Sequence, residues 1–147
     1  MKTLAPILIA AFSLVGCAKL GDYGTRLIAS SASALAVVNG NLLTGKVTLN
    51  VDRSGTVALQ GANGLNCMGN LRYTATPSGA INLQCSDGTQ ASLAFYVLSE
   101  TSGYAHGRSA TAPASLTFGL DTEEATAYLI VPNGKRLVRG EGVLRLQ

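Results

Sequence analysis

The chain has 147 residues, a net charge of +3 and 13% charged side chains, about half the typical share of ~25%. With no Trp, five Tyr and three Phe, it lacks the clustered basic and aromatic surface that nucleic-acid binding requires. Its apolar content of 47% is that of an ordinary globular protein, and its length suits one domain that buries roughly two-thirds of its unfolded surface.

The first element in chain order is an export signal over residues 1–16. Met1-Lys2-Thr3 is a short positive start, and Leu4 to Val15 is apolar apart from Pro6 and Ser13. That stretch is too short for a hydrocarbon core of ~30 Å, which takes about 20 residues to span, so it reads as a secretory segment. Its end, Leu14-Val15-Gly16-Cys17, resembles the lipobox of bacterial lipoproteins. The resemblance implies cleavage before Cys17, a thioether-linked diacylglycerol on its sulfur and, commonly, a further acyl chain such as palmitate on the new amino terminus. Two or three chains, at about 0.8 kcal/mol per buried CH₂, anchor permanently where a single myristoyl chain binds only marginally. Ala18 follows the cysteine, whereas Asp at that place tends to retain Gram-negative lipoproteins at the inner membrane. The expected location is therefore the cell envelope, at the outer membrane. Residues 17–147 are expected to form a single small β domain tethered to membrane lipid through Cys17.

Leu27 to Val38 is rich in Ala and Ser with weak periodicity, and it receives no assignment. Glycine then divides the chain into short runs with alternating or β-branched character: Lys46–Val51, Thr56–Gln60, Leu71–Ala75, Ala80–Cys85, Ala91–Leu98 and Ser115–Phe118. Such strands, at roughly 8–12-residue spacing, predict a mainly β fold, a small antiparallel sandwich or barrel. Asp52-Arg53-Ser54-Gly55, Thr76-Pro77-Ser78-Gly79 and Ser86-Asp87-Gly88 are turn sequences. Asp121-Thr122-Glu123-Glu124 carries a helix N-cap with Glu at the third helical position, and Ala125, Tyr128 and Leu129 follow at helical spacing. Pro132 stops the helix, which is expected over 122–130. Asn133-Gly134 turns the chain, and Val143–Leu146 makes a last short strand. The basic residues Lys135, Arg136, Arg139 and Arg145 gather near this end, as a solvated face or a contact for anionic headgroups.

Once Cys17 carries lipid, Cys67 and Cys85 are an even pair in an exported domain and read as one disulfide. A metal site with His106 as third ligand is the competing reading, and it has no fourth ligand at a suitable spacing. Gly40-Asn41-Leu42-Leu43-Thr44-Gly45-Lys46 has the spacing of a phosphate-binding loop. Val47 stands where Ser or Thr should hold Mg²⁺, however, and the next run looks like strand. His106 is the lone histidine and no Gly-x-Ser-x-Gly elbow accompanies it, so Ser–His–Asp hydrolysis has no support. The carboxylates Asp22, Asp52, Asp87, Glu100, Asp121, Glu123, Glu124 and Glu141 fall mostly in turns or the cap, and spacing nominates no acid–base pair.

The most functional-looking segment is Thr101-Ser102-Gly103-Tyr104-Ala105-His106-Gly107-Arg108-Ser109. Read as a projecting loop, it offers Tyr104, His106 and Arg108 for partner binding, with Tyr as a rigid surface and Arg as a carboxylate fork. The plainer reading is a hairpin whose Tyr packs on the sheet and whose His is exposed. With its lipobox and glycine-rich β domain, the whole chain is similar to small envelope lipoproteins of bacteria. That implies a non-enzymatic binding or assembly role with an envelope protein as partner, without cofactor, metal or nucleic acid. Leu83-Gln84-Cys85-Ser86-Asp87-Gly88 followed by Ser102-Gly103-Tyr104 also resembles the membrane-bound inhibitors of c-type lysozyme. In that resemblance the 101–109 loop would enter a muralytic enzyme's cleft, although this chain lacks their Trp and is longer.

Overall fold

The structure is a computed structural model that describes residues 29–147 apart from Thr76. The expected export signal, the Leu14-Val15-Gly16-Cys17 run and its expected anchor Cys17 lie outside the described residues.

Eight antiparallel strands run in sequence order: β1 (Ala29–Val38), β2 (Asn41–Asn50), β3 (Ser54–Gly61), β4 (Asn66–Ala75), β5 (Ser78–Cys85), β6 (Gln90–Ser99), β7 (Ser102–Ser109) and β8 (Pro113–Phe118). Each pairs with its sequence neighbours, and β1 also pairs with β8 from Ala34↔Phe118 to Val38↔Ala114, which closes a barrel. Of the two expected architectures the barrel is the one formed. Closure leaves none of the eight strands with an unpaired edge.

The alternation that predicted the strands sorts their two faces. On β5, Gly79, Ile81, Leu83 and Cys85 are buried while Asn82 and Gln84 are exposed; on β6, Ala91, Leu93 and Phe95 are buried while Ser92, Ala94 and Tyr96 are exposed. The inward residues form one cluster that includes Leu43, Val47, Val57, Leu71, Ile81, Phe95, Leu116 and Phe118. Eight strands enclose a space that side chains just fill, so this interior is a core and not a cup. The outward positions include Thr44, Lys46, Gln60, Asn70, Arg72, Asn82 and Gln90, all exposed. That is the reverse of a membrane-spanning barrel, whose outward band is apolar.

Two strands of the barrel escaped the sequence reading for opposite reasons. In β1 the inward residues are Ala34, Ala36 and Val38, but outward Val37 is also buried, so the alternation seen at exposed Ser31 and Ser33 is lost over Ala36–Val38. In β7 the inward positions are Gly103, Ala105 and Gly107, while the large side chains Tyr104, His106 and Arg108 point outward. The expected 101–109 loop is therefore corrected to a barrel strand. Its small interior residues leave room for rings from neighbouring strands: a Cβ on Gly103 would press on the Phe118 ring, and one on Gly79 would strike the Phe95 ring and the Arg72 carbonyl oxygen. Glycine at such points lets a strand coil tightly around a small barrel.

The Gly40–Lys46 run belongs to the first hairpin. Asn39 and Gly40 both have positive φ (49° and 76°), the conformation of a two-residue type I′ turn, and strand β2 follows in place of the helix that a phosphate loop would need. Cys67 and Cys85 face each other across β4 and β5 and form a disulfide. Both are buried, and the bridge closes the ribbon at the end away from its turn.

After β8 the chain forms helix α1 (Thr122–Tyr128) and a terminal hairpin of β9 (Leu137–Gly140) and β10 (Val143–Leu146). Asp121 caps the helix, its Oδ1 accepting the Glu124 amide at 2.8 Å. The helix ends two residues earlier than expected. Leu129 is already extended (φ −79°, ψ 134°), which brings the Ile130 amide to Ser115 Oγ at 2.8 Å. The helix packs on β8, and with it Ala114 to Phe118 are buried on both faces.

Candidate functional site

The outer wall of β6 and β7, together with α1, carries the chain's main aromatic assembly. Alternation places Tyr96 on the outside of β6, and register sets it directly opposite Tyr104 of β7. Their rings stack with centroids 5.5 Å apart and planes 28° apart. Tyr128, at the last turn of α1, also stacks on Tyr104, with 4.6 Å between their centroids and 19° between planes. Tyr104 touches both rings and is half-buried, while Tyr96 keeps 44% of its surface exposed.

His106 sits two residues along β7 with its ring 5.2 Å from Tyr104. Its Nε2 lies 2.6 Å from the Tyr128 carbonyl oxygen. A carbonyl only accepts, so Nε2 carries the proton. This bond, together with the Ile130–Ser115 bond, fastens the end of α1 to the wall and holds Tyr128 in the stack. Replacing the cap by Asp121→Ala should cost about 1 kcal/mol. It should weaken the tyrosine near-ultraviolet circular dichroism while leaving the far-ultraviolet barrel signal intact; an unchanged tyrosine signal would mean that the helix does not position the stack.

Of the three residues nominated from the 101–109 segment, Tyr104 and His106 are committed to the stack and the clamp, and Arg108 is exposed one outward position further along. The segment does not project, so the lysozyme-inhibitor reading loses the loop it depended on. Sequence reasoning missed Tyr96 and Tyr128 because their meeting with Tyr104 depends on strand register and on where α1 lands. Cys67 and Cys85 are bonded to each other inside the wall and His106 faces outward, so the three do not share a site.

The turn carboxylates are occupied with backbone. Asp52 accepts the Ser54 amide at 3.0 Å and its hydroxyl, and Asp87 accepts the Thr89 amide at 2.8 Å. The Ser54 hydroxyl, then its amide, holds Asp52 below the usual carboxylate value, and the Thr89 amide does the same for Asp87. In the unfolded chain both return to about 3.9 and bind protons more readily than in the folded one. Their contribution is therefore complete above that pH and is lost as pH falls through the lower folded values. The unfolding midpoint should hold level down to about pH 4 and decline below it, with a shallower decline in Asp87→Asn; an identical acid slope in that variant would remove Asp87 from the account.

On the opposite wall, a shallow groove runs beside exposed Met68 and is lined by neutral groups including Thr56, Asn66, Asn70 and Gln84. Among the described residues, no three of His, Cys, Asp and Glu come together in a metal-binding arrangement.

No protein-family model and no curated protein matches the chain. Among solved structures, a de novo designed fluorescence-activating β-barrel is similar to it, at 16% identity and a TM-score of 0.49, with 65% of this chain and 94% of that chain covered. The barrel assignment rests on the strand pairing of this chain itself.

Proposed function

We propose that this protein is a lipid-anchored component of the bacterial cell envelope that acts by binding an envelope protein, without catalysis, through the wall of β6, β7 and α1. The observation that carries this reading is Tyr96, a ring 44% exposed on the barrel wall and stacked on Tyr104, which in turn stacks on Tyr128. An immobilised aromatic ring contributes contact area at little conformational cost, which is why Tyr recurs as an interface anchor. Three features support the reading. The interior is filled by side chains, which leaves the outside of the barrel for recognition. His106 and the turn carboxylates hold backbone groups. The polar outer faces of the strands suit a water-facing domain on a tether, as the Leu14-Val15-Gly16-Cys17 signature implies.

The anchor is tested by intact mass of the detergent-extracted protein. The expected mass is that of residues 17–147 plus lipid, and Cys17→Ser should yield an unlipidated, unprocessed chain. A lipid-free wild-type product would sink the anchor. With Ala18 after the cysteine, the protein should fractionate with the outer membrane, and Ala18→Asp should move it to the inner membrane. For binding, a photoreactive residue at position 96 in growing cells should give a discrete adduct. The same probe at Ala58, three strands round the barrel on β3, should give none. Adducts of equal yield at both positions, or none at 96, would refute the assignment of the face.

A further inference from the structure

The alternating strands put the start of β1, the turns after β2, β4 and β6, and the exit from β8 at one end of the barrel. Ala29 enters there, paired with Asn50. This rim carries two exposed aliphatic side chains, each with a local structural reason for its position. Val51 is 73% exposed in the turn between β2 and β3. That turn is pinned by the Asp52–Ser54 bonds and by Asn50 Nδ2 donating to Ser54 Oγ at 3.1 Å. Leu98 is 48% exposed at a bulge, where the β6–β7 register jumps between Val97 and Ser99 and leaves it without a cross-strand partner. Bulges at barrel rims re-aim a side chain, and here the re-aimed side chain is a leucine. The β2–β3 and β6–β7 junctions are four strands apart in a ring of eight, so the two side chains stand on opposite sides of the same rim.

We infer that this rim is a membrane seat: Val51 and Leu98 rest in the headgroup–acyl boundary of the phospholipid bilayer that holds the anchor and set the barrel upright on it. The inference rests on the lipid-anchor reading. Residues 18–28 separate Cys17 from β1, a length that reaches about 40 Å at full extension. The rim where β1 begins is therefore the one at which the tether joins the barrel. Asp52, Arg53 and Glu100 give the rim charges of both signs, so contact depends on the aliphatic pair and not on anionic headgroups. The seat leaves the wall bearing Tyr96 facing sideways into solvent. It also puts the opposite mouth, where Lys135 Nζ meets the Gly40 carbonyl oxygen at 3.4 Å, away from the lipid.

The chain contains no Trp, so one introduced indole reports alone. Val51→Trp and Leu98→Trp are made in the full-length protein, with Ala62→Trp at the far mouth, in the 3₁₀ turn Ala62–Gly64 between β3 and β4, and Met68→Trp on the side wall as references. Each lipidated product is reconstituted into phosphatidylcholine vesicles with and without brominated acyl chains. The seat predicts blue-shifted emission and marked quenching at positions 51 and 98, little at 62 and 68, and no change when a fraction of the lipid is made anionic. Lipidated protein whose indoles at 51 and 98 are quenched no more than that at 62 overturns the seat and leaves the anchor standing. A product whose intact mass carries no lipid overturns the anchor and the seat with it.

Discussion

Phe95→Ala should lower stability by about 3–5 kcal/mol, the largest single-residue loss expected in this barrel. The ring is fully buried and meets Tyr73 edge-on, with centroids 4.9 Å apart and planes at 89°. Its cross-strand partners are Gly79 and Ala105. These small neighbours decide the magnitude. Neither has side-chain atoms that can move into the vacated space, so the cavity persists and its cost adds to the lost transfer free energy. Against a total stability of about 5–15 kcal/mol, such a loss should lower the thermal midpoint by roughly 10–25 °C. The urea midpoint should fall with little change in slope. Leu98→Ala, on the exposed bulge, is the control and should stay within about 0.5 kcal/mol. A Phe95→Ala loss below about 1 kcal/mol would mean that the interior relaxes around the missing ring and is not packed as described.

Removing the Cys67–Cys85 disulfide by the paired change to Ala should cost about 3 kcal/mol. The bridge joins residues 18 apart, and closing a loop of that size in the unfolded chain is the main source of its effect on the chain-entropy account. The rim around it has its own hydrogen bonds: the Ser86 amide donates to the Asn66 carbonyl at 2.7 Å, the Cys85 amide to the Thr89 carbonyl at 2.8 Å, and the Asn66 amide to Ser86 Oγ at 3.1 Å. The double variant should therefore fold to the same barrel, with the loss seen as a lower global midpoint and not as local fraying. Amide exchange at Asn66 and Ser86 should remain slow relative to the turns. Rapid exchange confined to that rim would show that the bridge acts locally. Because both sulfurs are buried, reductant should act on the native protein only through its opening and much faster above the unfolding midpoint.

Legibility in the sequence followed from how much of the hydropathy pattern each element kept. β3, β5 and β6 alternate large apolar residues inward with polar or small residues outward, and they stand in the structure within a few residues of where the pattern places them. β7 inverts the pattern, with Gly103, Ala105 and Gly107 inside and Tyr104, His106 and Arg108 outside, and so it read as loop. β1 lost its pattern because outward Val37 is buried as well as inward Ala36 and Val38, and the local sequence does not encode what buries it. The helix start was plain from Asp121, since capping is a short-range effect. Its end was not, because Leu129 and Ile130 leave the helix for a bond to Ser115, 15 residues earlier.

The sequence by itself determined the β class, the turns, the helix cap and the cysteine pair, because each depends on residues close along the chain or on the parity of a single strand. The proposed export signal and anchor rest on the linear run that ends in Leu14-Val15-Gly16-Cys17. Only the tertiary structure decided barrel over sandwich, since closure is a property of the β1–β8 pairing across some 80 residues of chain. The same holds for the stack of Tyr96, Tyr104 and Tyr128 and for the rim that gathers Val51 and Leu98. Both are set by strand order, register and a single bulge, and these arise from packing the whole interior at once and not from any local run of residues.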